Sequence, residues 1–230
     1  MSGRDEPPRQ LSLDLAPRTS FARLDYILAR SNTEAFDAAT DTAVATPVVC
    51  VGPRASGKTH LAHIFAEERH GKVVEAGAPE DWPDDAAALA IDNLHALDFS
   101  QEDAFFHRLN REIVEARPLF LTSEVAPERR AWRRPDILSR LRAARRVEIG
   151  PPDETLVLAL LVKGLSDRQV IVDPTALQFL AKRIARDHGE IAALVDALDV
   201  MSAERRRRIT RGMASEALSL REVTRGGDLS

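Results

Sequence analysis

The sequence predicts an α/β fold in which helices flank a parallel sheet, followed by a smaller, all-helical unit. Between about residues 21 and 150, short apolar runs alternate with longer helical patterns, which is typical of β-α-β units. Beyond the adjacent prolines Pro151 and Pro152 the pattern is helical only. We therefore predict three parts, which are an arm at 1–20, an α/β core at 21–150 and a helical lid at 151–230.

Five strands are predicted for the sheet. The first and third are near-continuous apolar runs, as expected for strands that are buried on both faces. The five predicted ranges are 47–51, 72–75, 87–91, 118–122 and 145–149.

Four helices are predicted for the lid. In the second, Asp173 is placed as the N-cap and Pro174 as the first helical residue, and Leu177, Leu180 and Ile184 recur at helical spacing. The predicted ranges are 154–166, 174–187, 190–204 and 211–219.

Composition limits the classes of function. The net charge of −4 gives no broad positive field of the kind that dedicated DNA-binding proteins use, so any contact with DNA is expected to be local or indirect. No run approaches the roughly 18 apolar residues that a membrane span requires, and the first residues lack the apolar segment of a signal peptide. The single cysteine, Cys50, suits a reducing compartment. We expect a cytoplasmic protein without a membrane partner.

A phosphate-binding loop is the most specific motif in the chain. Residues 52–59 fit G-x-x-x-x-G-K-[ST] and lie between a predicted apolar strand and an amphipathic helix, which is the context that the motif needs. Lys58 is expected to reach the β- and γ-phosphates, and Thr59 is expected to hold magnesium. The predicted nucleotide-binding residues of this loop are Gly52, Pro53, Arg54, Ala55, Ser56, Gly57, Lys58 and Thr59.

An acidic residue follows the third predicted strand. Asp92 comes directly after the apolar run that ends at Ile91, so we predict that it orients magnesium together with Thr59. The next residue is Asn93, where an ATPase of this kind usually has a carboxylate that polarises the attacking water. Since an amide cannot accept that proton, we expect weak or no intrinsic ATP hydrolysis.

Two further features follow the phosphate motifs along the chain. The fourth predicted strand ends in the hydroxyl residues Thr122 and Ser123, and we assign Ser123 a catalytic role next to the γ-phosphate. About one helix later, Arg140 lies where P-loop assemblies present a guanidinium to a neighbour's γ-phosphate. It is one of eight arginines between residues 129 and 146.

These residues resemble the DnaA-related branch of the AAA+ P-loop proteins, and within it the short Hda type. The resemblance extends from about residue 10 to 220. Besides the loop, it rests on Ser20 and Phe21, on Ser31 and Asn32, and on the segments 91–93, 106–110, 121–123 and 138–141.

The arm contains the most discriminating part of the resemblance. Residues 10–15 are similar to the sliding-clamp-binding peptide that Hda proteins carry near the amino terminus. An extended peptide of this kind can place leucines in an apolar groove while a glutamine amide is hydrogen-bonded beside it. The predicted clamp-binding residues are Gln10, Leu11, Leu13 and Leu15.

The resemblance implies a negative regulator of replication initiation. Such a protein binds ADP or ATP with Mg2+, binds the clamp on DNA, and stimulates DnaA to hydrolyse its ATP. Arg140 would act in trans, as the arginine finger of the family does. The implied partners are DnaA and the clamp, with DNA contacted only indirectly, and the implied location is at the replisome or nucleoid. The resemblance leaves open whether the chain self-associates and whether ADP or ATP is the active form.

One position departs from the family pattern. The family has a nucleotide-sensing arginine in the third lid helix, and the matching position here is Gly189. Arg186 precedes it by three residues and lies on the same face only if one helix continues through 189. On that condition, Arg186 is the predicted substitute.

Two other functions compete with the regulator. One is an autonomous AAA+ ATPase that acts as a helicase loader or motor, against which Asn93 and the clamp-like peptide argue. The other is a small-molecule kinase, which needs a binding pocket for a phosphate acceptor. Residues 76–85 offer no clear set of side chains for such a pocket.

Overall fold

The computed structural model describes residues 21–43 and 46–227. The predicted arm at 1–20, with its clamp-like peptide, therefore lies outside the described residues.

A five-stranded parallel sheet forms the centre of the amino-terminal part. Its strands are β1 (Val48–Val51), β2 (Lys72–Glu75), β3 (Leu89–Asp92), β4 (Leu119–Ser123) and β5 (Arg145–Glu148). Their spatial order is β2-β3-β4-β1-β5, and every neighbouring pair is parallel. All residues of β1, β3 and β4 are buried, whereas the edge strands β2 and β5 expose charged side chains. The predicted α/β class with a parallel sheet is confirmed.

Helices cover both faces of this sheet. They are α1 (Thr33–Thr40), α2 (Lys58–Glu68), α3 (Glu102–Val114) and α4 (Pro135–Ala143). Because successive side chains of a strand point to opposite faces, Val48 and Cys50 pack with α1 and α2, while Val49 and Val51 pack with α3 and α4. Because all five strands are parallel, their carboxyl ends lie at the same edge of the sheet, and β1 continues there into the predicted phosphate loop.

The carboxy-terminal part is helical, as predicted, and has its own apolar cluster. Its helices are α5 (Glu154–Asp167), α6 (Pro174–Ala181), α7 (His188–Arg205) and α8 (Arg211–Gly227). The cluster includes Leu161, Leu180, Leu194 and Leu198, all fully buried. Helices α5 to α8 form the lid. The domain limits at residues 20 and 150 remain a prediction.

The predicted helix at 174–187 is wrong at its carboxyl end. Helix α6 ends at Ala181, and α7 begins at His188 after an N-cap at Asp187, whose side chain accepts a hydrogen bond from Glu190 N at 2.9 Å. This cap starts a new helix, because its carboxylate satisfies an amide that the first turn leaves free. An aspartate followed three residues later by a glutamate is the sequence signal for this start.

Within the part of the chain that the structure describes, no helix is both long enough and apolar enough to cross a bilayer.

Candidate functional site

The phosphate loop joins β1 to α2 and depends on two glycines. Gly57 is the N-cap of α2 and has φ of 92°, where a side chain is strained, and a Cβ there would lie 3.1 Å from Tyr26 Cε2. At Gly52 a Cβ would lie 2.8 Å from Ser56 Oγ and 3.0 Å from Ile149 Cβ. The loop is thus compact, and it leads into a helix whose first amides have no partner within the helix. This arrangement suits an anion.

Lys58 is a buried cation in this loop. The residue is 6% exposed, and its Nζ donates a hydrogen bond to the Pro53 carbonyl at 2.7 Å. No carboxylate of the described residues lies within ion-pairing distance of Nζ. Burial lowers the pKa of Lys58, and Glu124 and Asp92 oppose this effect at longer range. Since a buried charge without a counter-ion is costly, the site is suited to an anionic ligand.

The structure brings the two predicted magnesium ligands together. Asp92, at the end of β3, is 3% exposed, and its Oδ2 accepts a hydrogen bond from Thr59 Oγ1 at 2.8 Å. Its other oxygen, Oδ1, accepts a hydrogen bond from Thr122 Oγ1. A carboxylate beside a hydroxyl provides the oxygen ligands that Mg2+ prefers, so these residues fit the ion.

Both the backbone N–H and the side-chain amide of Asn93 donate hydrogen bonds. Its backbone is left-handed, with φ of 59°, and its N–H donates a hydrogen bond to Thr122 Oγ1 at 3.1 Å. The side-chain amide donates to Glu75 Oε2 at 3.1 Å. The side-chain amide at this position is therefore already hydrogen-bonded.

Ser123 is not part of this cluster. Its hydroxyl donates a hydrogen bond to the Val125 carbonyl at 2.6 Å and accepts one from Val125 N at 3.3 Å, so it serves the turn after β4. The hydroxyl that reaches Asp92 belongs to the preceding residue, Thr122. The alternation of side chains along a strand separates the two, and the sequence named the pair without showing which one faces Asp92.

A cleft separates the phosphate loop from the lid. It contains one cavity of about 200 Å³, against Ala55, Leu160 and Ile191, and a second of about 100 Å³, against Tyr26 and Ser56. Two buried polar atoms of residues that line these cavities have no hydrogen-bond partner among the described residues. They are Ser56 Oγ and His188 Nδ1. Because buried polar atoms are normally paired, they indicate a polar ligand in the cleft.

The two predicted arginines lie in different surroundings. Arg140 is exposed on α4, and no described residue forms an ion pair or a side-chain hydrogen bond with its guanidinium. Arg186 is exposed in the turn between α6 and α7. Arg186 was predicted to replace the sensing arginine of position 189 only if one helix contained both residues. This condition is not met, because Arg186 precedes the N-cap of the helix that contains Gly189.

Two residues of the cleft are absent from the sequence prediction. Tyr26 lies 26 residues before Gly52, and His188 lies 129 residues after Thr59. Neither residue belongs to a sequence motif, so the sequence alone gives no signal that they contribute to the site.

The chain is similar in sequence to known replication proteins, although the similarity is low. No family model matches the chain. The chromosomal replication initiator DnaA of Cutibacterium acnes is 24% identical over 207 residues, which is 77% of this chain and 41% of that protein. The chain thus spans about two-fifths of the length of the curated relative.

Solved structures share the fold. Domain III of the Thermotoga maritima replication initiation protein DnaA superposes with a TM-score of 0.73 at 16% identity, covering 86% of this chain and 95% of that one. The AMPPCP-bound DnaA of Aquifex aeolicus gives a TM-score of 0.60 at 17% identity, covering 79% and 67%. The Thermotoga maritima RuvB Holliday junction branch migration motor gives 0.62 at 18% identity, covering 84% and 70%.

Proposed function

We propose that the chain is a DnaA-related AAA+ protein, since it is similar in sequence and fold to DnaA, that it binds an adenine nucleotide, and that it acts as a negative regulator of replication initiation. In this proposal the protein binds the sliding clamp and stimulates hydrolysis of DnaA-bound ATP in trans.

Nucleotide binding rests on one observation above the others. Among the described residues, the buried ammonium of Lys58 has only the Pro53 carbonyl as its partner, in a loop whose backbone is shaped for an anion. The phosphates of a nucleotide would supply the missing counter-charge. A DnaA structure holds AMPPCP, an adenine nucleotide analogue, which supports adenine as the base.

Magnesium fits beside these phosphates. Thr59 and Asp92 would hold the ion, whose charge neutralises phosphate oxygens when it is bound. Thr122 and Thr59 each donate a hydrogen bond to Asp92 and thereby orient its carboxylate. With Asn93 as the next residue, the chain itself has weak or no ATPase activity.

The effect on DnaA is assigned to Arg140. Its guanidinium is exposed and unpaired within the described residues, so it is available to the phosphate of a second protein. A guanidinium placed at a developing phosphoryl charge contributes about 10³–10⁵ in rate in related reactions. The arm would tether the protein to the clamp through Gln10, Leu11, Leu13 and Leu15, so that DNA is contacted only through the clamp.

The test is hydrolysis of DnaA-bound ATP in the presence of clamp and DNA. Arg140→Ala should return hydrolysis to the rate seen without this protein, because the charge at the neighbour's phosphate is lost. Arg142→Ala is the matched control, since Arg142 is exposed on the same helix and is likewise unpaired among the described residues. Equal stimulation by wild type and Arg140→Ala would refute the mechanism.

An autonomous motor or helicase loader is the second candidate, because the RuvB motor shares this fold. The two functions differ in the isolated chain. Rapid ATP turnover without DnaA would favour the motor, whereas retention of nucleotide without turnover would favour the regulator.

A further inference from the structure

His188 lies where the lid meets the core. It is the first residue of α7 and is 4% exposed, and its Nε2 lies 3.1 Å from the carbonyl oxygen of Gly150, just beyond β5. A carbonyl oxygen can only accept a hydrogen bond, so Nε2 carries the proton and donates it. This bond joins the start of a lid helix to the end of the core sheet.

The other ring nitrogen is left without a partner. A neutral imidazole has one N–H, so with Nε2 protonated Nδ1 is an acceptor. No described residue donates to Nδ1, although the atom is buried. Burial is the main cause that lowers the pKa of His188, and the charge of Lys58 acts in the same direction. The ring is therefore neutral at neutral pH. Its Nδ1 is a buried acceptor that a ligand with a hydrogen-bond donor could satisfy.

The surroundings of His188 indicate where that donor comes from. His188 lines both cavities of the cleft, together with Ala55 of the phosphate loop. Tyr26 and Ile27 line the smaller cavity, and Leu160 lines both. A nucleotide with its phosphates at Lys58 would place its nucleoside in this cleft, between apolar side chains.

We propose that His188 Nδ1 accepts a hydrogen bond from the nucleoside part of the bound nucleotide. The donor is either the exocyclic amine of the base or a ribose hydroxyl. The same ring then binds the ligand through one nitrogen and the core backbone through the other, so His188 makes lid position depend on whether nucleotide is present. This inference rests on the proposed nucleotide binding and names a residue that determines specificity in that same site.

Two substitutions separate the functions of the two nitrogens. In His188→Gln the side-chain amide reaches the position of Nε2, so it keeps the donor to Gly150 but loses the acceptor at Nδ1. In His188→Asn the side-chain oxygen replaces Nδ1 and the bond to Gly150 is lost. His107→Gln is the matched control, because His107 is exposed on α3, away from the cleft.

Isothermal titration calorimetry with ADP measures the effect on the full chain. His188→Gln should weaken ADP binding about tenfold, as expected for loss of one hydrogen bond to a buried acceptor. His188→Asn should retain more affinity than His188→Gln, and His107→Gln should match wild type. Thermal melting of each variant shows that it is folded.

Nucleotide analogues identify the donor. Inosine diphosphate lacks the exocyclic amine, and 2′-deoxy-ADP and 3′-deoxy-ADP each lack one ribose hydroxyl. The analogue that lacks the true donor should bind wild type and His188→Gln with equal affinity. Equal ADP affinity for wild type and a folded His188→Gln, or the same loss with every analogue, overturns the inference alone. If wild type binds no adenine nucleotide, the proposed function fails as well.

Discussion

At the scale of the residue, the site is defined by polar groups whose partners are incomplete. Within residues 21–43 and 46–227, the ammonium of Lys58 has a carbonyl but no carboxylate as a partner, while Asp92 has two hydroxyl donors but no cation within ion-pairing distance. In a folded interior such groups cost free energy unless a ligand completes them. The phosphates and Mg2+ of a nucleotide would complete both at once.

Because of Lys58, the affinity for nucleotide should depend on pH in the alkaline range. Burial lowers the pKa of Lys58 in the free protein, and bound phosphates would raise it again. Between these two pKa values the complex holds a proton that the free protein lacks, so affinity for ADP should fall as pH rises through this window. Calorimetry in buffers of different ionisation enthalpy should detect proton uptake on binding.

The neighbouring thiol does not interfere with this measurement, because burial raises the pKa of Cys50 to about 12. Lys182→Ala, an exposed lid position, should leave the proton uptake unchanged. Binding without proton uptake throughout the alkaline range would contradict the role of Lys58.

At the scale of the element, side-chain caps mark where two of the lid helices, α5 and α7, begin, whereas the predicted N-cap of α6, Asp173, makes no side-chain cap hydrogen bond. Asp153 accepts a hydrogen bond from Leu156 N at 2.8 Å and starts α5, and Asp187 does the same for α7. Leu156 and Leu160 of α5 line the cleft, so the cap also positions a wall of the candidate site. Local hydrogen bonding thus determines which lid residues face the phosphate loop.

Asp153 offers a test of this contribution. Asp153→Ala should lower the free energy of unfolding by about 1 kcal/mol, because the amide of Leu156 loses its acceptor. Asp153→Asn retains an oxygen acceptor and should stay within roughly a few tenths of a kcal/mol of wild type. Urea denaturation measures both values. Equal losses for the two variants would assign the effect to charge and not to the cap.

At the scale of the whole molecule, the phosphate loop links three parts of the chain. Tyr26 precedes it, β1 and α2 flank it, and His188 comes from the lid. The segment that leads into the core is packed on the loop's helix, since the Phe21 ring stacks on His63 with centroids 4.1 Å apart. The predicted clamp-binding peptide therefore lies a few residues before a segment that contacts α2.

Clamp binding is predicted to be separable from nucleotide binding. Leu13→Ala and Leu15→Ala should each weaken retention on immobilised clamp by roughly tenfold or more, because each removes apolar area from the contact. ADP affinity should stay at the wild-type value. Ser12→Ala in the same peptide is the control and should bind the clamp normally. If the variant that combines Leu13→Ala and Leu15→Ala is retained on the clamp as well as wild type, residues 10–15 are not the clamp-binding peptide.

Periodicity and the loop motif were sufficient for much of the fold and of the site. Alternating apolar runs predicted the parallel sheet, and residues 52–59 with Asp92 predicted a cluster that the structure brings together. The end of α6 was missed because the cap at Asp187 competes with a helical pattern that continues through it. The sequence does not distinguish Thr122 from Ser123 as the partner of Asp92, because that depends on which face of β4 meets Asp92.

The sequence alone determined the fold class, the phosphate loop and the amide at Asn93, because these follow from local pattern and from side-chain chemistry. Only the tertiary structure decided that Tyr26 and His188 meet beside the loop and that Arg186 lies outside the helix that contains Gly189. Residues so far apart along the chain come together through the packing of the lid on the core, and no spacing within a single segment encodes that packing.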